Sequence, residues 1–440
     1  MERCPYAYRV SFFGDLHVVL RGARFRRLFG TRLVSQFGDG VYQAGLAGYI
    51  FFTPEQHSTA GEVALAFAVL LLPFSVVGPF AGVLIDRWSR RQVLLVASLI
   101  KAVLAATTAG LVAAGSDGAY FFAAALCVLS VNRFFLAALG AALPHVVPRA
   151  QLMMANAVTP TCGTFATFVG AGAGAGLRVF AGDSPVGTPL ILFVAGVAFA
   201  GTAPVALTLR RRELGPDLTH EPPRIQSAVR TVVSGLADGL RHAWGRRPAR
   251  YALATIGGVR FVFGLSTLVT LLLYNNTFTE GGVAGFAGFS VTLAASGVGF
   301  LVGAVATPWA TQRMTADTWI ATLLASGGAA LLGLGLPFSP VLFPAAAFAL
   351  GVVAQGVKVT VDTLVQRNVD DEFRGRVFTV YDMLFNGLFV AAAGLSAAVV
   401  PPSGVSASVV VAMATGLALM GAGWAARSRA LAKDGPDRSR

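Results

Sequence analysis

Charged residues are scarce in this sequence. Asp, Glu, Lys and Arg together account for 12% of the 440 residues, whereas about a quarter of the residues in a soluble domain are charged. Hydrophobic residues account for 55%, and the mean hydropathy is +0.68. This composition excludes an ordinary water-soluble domain and indicates a chain that lies largely within a membrane.

Cysteine, histidine and catalytic motifs are equally sparse. The three cysteines form no Cys-x-x-Cys pair, so neither a disulfide framework nor a cysteine metal site is expected. The five histidines show no ligand spacing, and the sequence contains neither Gly-x-Ser-x-Gly nor a phosphate-binding Gly-Lys-Ser/Thr. We therefore expect no metal, no cofactor, no enzymatic activity and no ATP-driven pumping.

Long apolar stretches dominate the sequence instead. A membrane-spanning helix needs roughly 20 apolar residues, and it satisfies its own backbone hydrogen bonds in lipid. The sequence predicts an all-α membrane protein with twelve transmembrane helices. The predicted spans, numbered one to twelve, are 29–52, 63–84, 92–114, 119–142, 152–177, 189–209, 251–274, 286–308, 318–336, 341–362, 375–399 and 405–426.

The formal charge of +13 is unevenly distributed. Of the 34 Lys and Arg residues, 29 lie on one side of the predicted membrane, in the termini, the loops and the adjoining ends of the spans, and the loops on the other side carry only Arg178. By the positive-inside rule both termini lie in the cytoplasm. The basic surface is expected to face anionic lipid headgroups, and a nucleic-acid partner is not expected because no reader motif is present.

A polar stretch separates two groups of six spans. Within it, Ser227 to Trp244 has the spacing of an amphipathic helix, which leaves Arg230 and Arg241 available to headgroups. Residues 1–28 lack the features of a cleavable signal peptide. Within them, Asp15 to Arg27 is expected to form either a short helix on the inner surface or a disordered basic arm. The predicted domains are a cytoplasmic N-terminal segment 1–28, a six-helix half 29–209, a cytoplasmic linker 210–250, a six-helix half 251–426 and a cytoplasmic tail 427–440.

One charged turn, between spans two and three, carries the most specific pattern. It closely resembles Gly-x-Leu-x-Asp-Arg-x-Gly-Arg-Arg, the signature of major facilitator superfamily transporters, and departs from it only at Ser89. The resemblance is strongest to bacterial, particularly actinobacterial, drug and metabolite exporters. The matching residues are Gly82, Leu84, Asp86, Arg87, Arg90 and Arg91.

The resemblance implies two six-helix halves related by a pseudo-two-fold axis, with a substrate site between them near the membrane midplane. It also implies that Asp86 packs against the start of span eleven, at Arg374 and Arg376, where free helix amides favour a carboxylate. The family often has an acid just after span four. This chain has Pro144 and His145 there, so that part of the contact is not expected.

Two ionisable residues lie near the midplane of matching spans. Asp39 lies about 15 Å into span one and Arg260 about 14 Å into span seven. Intramembrane charges usually face the bundle interior and have partners. Asp39 is either a proton carrier or counter-ion for substrate, or one member of a structural ion pair. Arg260 either pairs with Asp39 across the cavity as a gate, or anchors helix packing.

Other charges inside the spans are weaker candidates. Arg133, in span four, matches an arginine that the superfamily links to proton coupling. Lys101, mid-span in span three, needs an interior role or a partner. Asp382 in span eleven is the second candidate proton carrier. Lys358 and Asp362, spaced i, i+4, are expected to form a local helix pair.

Span five is rich in glycine and contains Gly170, Gly172, Gly174 and Gly176. Close helix contact explains such residues. The alternative is the Gly-Pro motif of superfamily exporters, from which this chain lacks the proline. The direction of transport therefore stays open at this point.

The sequence thus favours a monomeric secondary transporter in the cell membrane, exporting a small amphipathic drug or metabolite in exchange for protons by alternating access. Its partners are a small-molecule substrate, protons and membrane lipids. The alternatives are an importer or uniporter on the same fold, and a non-transporting membrane scaffold or sensor.

Overall fold

The computed structural model describes residues 22–52, 80, 88–115, 119–148, 152–182, 184, 186–210, 213–214, 225–279 and 282–433. All regular structure within these ranges is helical. The helices are α1 (Ala23–Phe52), α2 (Arg90–Ala113), α3 (Ala119–Val146), α4 (Leu152–Ala181), α5 (Gly187–Leu207), α6 (Ile225–Gly245), α7 (Arg247–Asn276), α8 (Gly282–Thr311), α9 (Ala316–Ala330), α10 (Phe343–Asn368), α11 (Asp371–Val399) and α12 (Ala407–Lys433). A π-helical turn, Leu331–Gly335, continues α9.

Ten of the described helices are long and apolar enough to cross a membrane, namely α2 to α5 and α7 to α12. They coincide with predicted spans three to twelve, so the all-helical membrane fold is confirmed. Predicted span one is helix α1, which is less apolar because Gln36, Asp39 and Gln43 interrupt it. Predicted span two lies outside the described residues. The complete six-plus-six arrangement therefore stays a prediction.

The described chain forms two compact units. The first lies within Met1–Ala44, Phe80–Gly174 and Pro189–Ile225, and the second within Gly45–Pro79, Ala175–Thr188 and Gln226–Arg440. Two of the boundaries fall inside α1 and α4. The domain limits inferred from the sequence, which follow the linker, remain predictions.

In the first unit, glycines bring α1 and α4 into backbone contact. A Cβ atom on Gly170 would lie 2.0 Å from the carbonyl oxygen of Phe37, and one on Gly40 would lie 2.0 Å from the carbonyl oxygen of Thr167. A Cβ on Gly174 would lie 2.8 Å from Ala44. Small residues allow such contact between membrane helices. Close packing therefore accounts for two of the span-five glycines, Gly170 and Gly174.

In the second unit, α8 and α10 pack through glycines on both helices. A Cβ on Gly299 would lie 2.1 Å from the carbonyl oxygen of Phe348, and one on Gly351 would lie 2.2 Å from that of Ser296. The backbones of the two helices are therefore in direct contact at these positions. Thr315 caps the neighbouring α9 by accepting a 3.2 Å hydrogen bond from the Thr318 amide.

We predict that Gly170→Ala destabilises the protein by roughly 1–3 kcal/mol, because the added methyl group collides with backbone and not with a mobile side chain. Gly172→Ala is the matched control, since nothing lies within 4 Å of a Cβ at that position. The measurement is the thermal denaturation midpoint of each purified variant in detergent. Equal midpoints for the two variants would contradict the α1–α4 contact.

Candidate functional site

A buried ion pair joins α1 to α2 in the first unit. Lys101 Nζ lies 2.7 Å from Asp39 Oδ1. Asp39 is 5% exposed and Lys101 is fully buried. The sequence singled out both residues without pairing them, and the structure gives Lys101 the partner that its position requires. Asp39 is thus bonded to Lys101, and its pairing with Arg260 during transport stays a prediction.

The ammonium group of Lys101 has all three of its hydrogens engaged. Besides Asp39, it donates to Ser35 Oγ at 3.0 Å and to Asn132 Oδ1 at 2.9 Å. Its Nζ also lies 4.1 Å from the ring centroid of Phe199. Three acceptors match the three donors of a lysine. These five residues, Ser35, Asp39, Lys101, Asn132 and Phe199, are called the lysine cluster below.

Three members of the lysine cluster were not predicted. Ser35 and Asp39 are four residues apart on α1, so helical spacing alone could have placed them on one face. Asn132 precedes the predicted Arg133, and a buried amide in an apolar helix is a comparable signal. Arg133 itself is half-buried on α3. It is Asn132 that supplies the oxygen to Lys101.

The two glycines beside Asp39 explain its burial. A Cβ on Gly38 would lie 2.8 Å from the Phe199 ring, and Gly40 meets the backbone of α4. The absence of side chains at both positions lets α5 and α4 close over Asp39 from two directions. One turn further along α1, the Tyr42 hydroxyl lies 3.1 Å from Thr108 Oγ1. Gly38 and Gly40 therefore allow close helix packing, which keeps the Asp39 carboxylate away from water.

One oxygen of Asp39 remains available. Asp39 Oδ2 is buried and has no hydrogen-bond partner among the described residues. Buried polar atoms nearly always have a hydrogen-bond partner. A buried oxygen without one therefore either lowers the stability of the fold or belongs to a functional group. The other oxygen, Oδ1, accepts the hydrogen bond from Lys101 Nζ.

In the second unit, Arg260 on α7 lies among aromatic rings. Its guanidinium carbon is 4.2 Å from the ring centroid of Phe385, 4.6 Å from that of Phe389 and 5.5 Å from that of Phe263. Arg260 Nε is buried without a hydrogen-bond partner in the described part of the chain. Cation–π contacts stabilise the positive charge of the guanidinium, but they do not provide hydrogen-bond acceptors for its N–H groups.

The α11 side of this region is a row of aromatic rings. The ring centroids of Phe378 and Tyr381 are 5.8 Å apart, and those of Tyr381 and Phe385 are 6.2 Å apart. Lys358 lies 5.6 Å from the Tyr381 ring and 2.7 Å from Asp362, which confirms the expected local pair. Asp382, next to Tyr381, is exposed. It is therefore much less buried than Asp39.

The signature turn is described only in part, since Gly82, Leu84, Asp86 and Arg87 lie outside the described residues. The later arginines bind carbonyl groups within the first unit. Arg90 Nη1 donates to Leu214 O at 2.9 Å and lies 3.1 Å from His145 Nδ1. Arg91 Nη2 donates to Leu207 O at 3.2 Å. His145 thus contacts Arg90 at the position where the family pattern often has an acid.

The start of α11 contacts the amphipathic helix α6. A Cβ on Gly239 would lie 2.8 Å from that of Arg376, and the His242 and Phe373 rings stack with centroids 4.3 Å apart. Arg246 donates to Asn368 O at 3.0 Å. Arg374 lies in the first turn of α11. The amphipathic helix predicted for Ser227 to Trp244 is present as α6 (Ile225–Gly245), and it packs against the start of α11.

The family follows from comparison with known proteins. The model of the Major Facilitator Superfamily matches residues 28–394. The chain belongs to this superfamily. It is therefore a multi-pass membrane transporter and not an enzyme.

Its relatives include mycobacterial transporters. An uncharacterized MFS-type transporter of Mycobacterium tuberculosis is 36% identical over 384 residues, covering 86% of each chain. The multidrug efflux pump Tap of the same species is 29% identical over 382 residues, covering 83% of this chain and 84% of Tap.

Solved transporters share the fold. A structure of the peptide transporter POT has a TM-score of 0.70 at 11% identity, covering 94% of this chain and 98% of POT. The nucleoside transporter NupG has a TM-score of 0.65 at 14% identity, covering 91% and 98%. At such low identities the likeness concerns the fold alone.

We predict that Lys101→Met destabilises the protein by roughly 3–5 kcal/mol, because it leaves the Asp39 carboxylate buried without its partner. Adding Asp39→Asn to Lys101→Met should recover much of this loss. Thermal denaturation of the single and double variants at pH 8 measures both effects.

Lys358→Met is the control for this comparison. Its ion pair has the same 2.7 Å distance, but its side chains are 35% and 26% exposed. Its loss should cost about 1 kcal/mol or less, as for partly exposed pairs. If Lys101→Met were no more destabilising than Lys358→Met, the Asp39 carboxylate would not depend on Lys101.

Proposed function

We propose that this transporter exports small amphipathic molecules in exchange for protons, by alternating access, and that the Asp39–Lys101 pair carries the coupling. The observation that supports this proposal is a buried carboxylate with one oxygen bonded to a lysine and the other unpartnered. A proton that binds Asp39 Oδ2 changes the net charge of the lysine cluster from neutral to about +1.

Protonation of Asp39 weakens the ion pair and leaves Lys101 held by the neutral oxygens of Ser35 and Asn132. Removing one partner of a buried pair costs roughly 3–5 kcal/mol. Moving a two-state equilibrium from 1:99 to 99:1 requires about 5.5 kcal/mol. The free energy of one protonation event is therefore of the size needed to bias the transporter between its two states.

Because the residues of the lysine cluster come from several helices, a change in its charge affects the contacts of all of these helices. Ser35 and Asp39 lie on α1, Lys101 on α2 and Asn132 on α3, and Phe199 of α5 covers the ammonium. Once Asp39 is neutral, a conformation in which the Lys101 ammonium contacts water or another anion is favoured. A ligand shifts such an equilibrium only by its differential affinity for the two states, and the proton does so here by removing the partner of Lys101.

Export is the proposed direction because Tap, a multidrug efflux pump, is similar over most of the chain. The proposed location is the bacterial cell membrane, with both termini in the cytoplasm as the distribution of Lys and Arg requires. The proposed architecture is two six-helix halves, 29–209 and 251–426, joined by the linker 210–250. We further propose that the protein acts as a monomer.

The remaining candidates have supporting roles in this proposal. The Arg90 and Arg91 contacts belong to the conformational motif together with Gly82, Leu84, Asp86, Arg87, Arg374 and Arg376. Arg133 is proposed to assist proton movement, and Asp382 is the alternative carrier should Asp39 prove structural.

We expect Asp39→Asn to abolish proton-driven transport of lipophilic dyes in proteoliposomes, because an amide cannot exchange a proton with the cluster. Concentrative transport under an imposed pH gradient should fall to the level of empty liposomes. Exchange of labelled for unlabelled dye without a gradient should persist, since it requires alternating access but no net proton movement.

Asp382→Asn is the matched control, and it should transport as the unaltered protein does. If Asp39→Asn still concentrated dye in response to the gradient while Asp382→Asn did not, Asp382 would be the carrier. If a pH gradient drove no dye in the unaltered protein, although exchange occurred, proton coupling itself would be wrong.

A further inference from the structure

Arg260 is an intramembrane cation of the second unit that has no acidic partner among the described residues. Asp362 is bonded to Lys358, and Asp317 lies 3.1 Å from Arg427. Arg260 makes no hydrogen bond or ion pair with any described residue, and its contacts are the rings of Phe263, Phe385 and Phe389. The positive charge at the middle of α7 therefore has no carboxylate partner in the part of the chain that the structure describes.

The rings orient the guanidinium without satisfying it. Phe385 and Phe389 are four residues apart on α11, so their rings form one wall, and Phe263 comes from the next turn of α7 itself. Cation–π contacts stabilise an arginine by roughly 0.5–2 kcal/mol each. The planar fork of N–H groups remains open to a bidentate acceptor, for which a carboxylate has the matching geometry.

A hydroxyl-lined cavity begins at Phe263. It lies between α7, α8 and α10 and has a volume of about 30 Å³, roughly the space that one water molecule occupies. Arg260, Phe263, Thr267 and Thr270 follow one face of α7 at helical spacing. The cavity is lined by Phe263, Ser266, Thr267, Thr270, Phe289, Thr292, Leu293, Ser296, Ala347 and Leu350.

Ser296 presents an unpartnered hydroxyl group to this cavity. Ser296 is 4% exposed, and its Oγ has no hydrogen-bond partner among the described residues. The hydroxyl groups of Thr267 and Thr270, in contrast, donate to carbonyl groups of their own helix at 2.7 and 2.8 Å. The cavity is therefore bounded by the rings of Phe263 and Phe289, by hydroxyl groups along α7 and by the unpartnered hydroxyl of Ser296 on α8.

We propose that Arg260 binds the carboxylate of an amphipathic aromatic cargo, whose ring packs against Phe263 and Phe389 beside the hydroxyl-lined cavity. This inference rests on the proposed export function and specifies its substrate class as an organic anion. The cargo supplies the acceptor that the guanidinium lacks, and the rings exclude water from the resulting pair. Lipophilic cations are disfavoured because the site is already positive.

The test measures binding to the full-length protein in detergent, with no proton gradient. Isothermal titration calorimetry is run with naphthalene-2-acetate and with 2-(2-naphthyl)ethylammonium, which share a ring system but differ in charge. We expect the anion to bind and the cation to bind at least tenfold more weakly. Arg260→Gln should weaken anion binding at least tenfold. Arg260→Lys should weaken it less, since it keeps the charge and loses the fork.

Arg313→Gln is the matched control. Arg313 also lies over an aromatic ring, 3.9 Å from that of Trp309, but it is exposed. This variant should bind the anion as the unaltered protein does. If Arg260→Gln did not fold, the comparison of Arg260→Lys with the unaltered protein, and of the two probes on the unaltered protein, would still decide the matter.

Several outcomes would overturn the proposal. They are equal affinity for the two probes, anion binding unaffected by Arg260→Gln, or displacement of the anion by phosphatidylglycerol but not by other aromatic acids. The last would identify Arg260 as a lipid headgroup site. Anion binding that depends on Arg260 without proton-driven transport would refute the export proposal alone. Proton-driven transport of cations with no anion binding would refute the anion site alone.

Discussion

A charged side chain inside a membrane has no water to solvate it, so it must be held by other groups of the protein or by a ligand. This constraint organises the described helices. Lys101 is held by Asp39, Ser35 and Asn132, which come from two neighbouring helices, and Phe199 covers it from a third. The placement of one ammonium group thus fixes the mutual rotation of α1, α2 and α3.

Glycine makes this burial possible. Gly38 and Gly40 flank Asp39 and allow α5 and α4 to close on it, while Gly299 and Gly351 bring α8 and α10 together around Ser296. With 51 glycines in the chain, close backbone contact replaces the larger side chains that fill the core of a soluble protein. Polar side chains that would otherwise face lipid are thereby enclosed between helices.

The two units stabilise their intramembrane charges in different ways. In the first, a cation and an anion neutralise each other and leave one carboxylate oxygen unpartnered. In the second, an arginine is surrounded by rings that attract its charge but accept none of its hydrogens.

The sequence by itself determined the class of protein and most of its helices, because hydropathy is a local property and a stretch of about 20 apolar residues requires a spanning helix. Scarcity alone marked Asp39, Lys101 and Arg260 as noteworthy. The tertiary structure decided their partners: Asp39 and Lys101 are 62 residues apart, Asn132 is a further 31 residues along the chain, and the rings around Arg260 come mainly from α11. Which side chains meet depends on the rotation of each helix about its axis and on which helices are neighbours, and neither property is encoded locally.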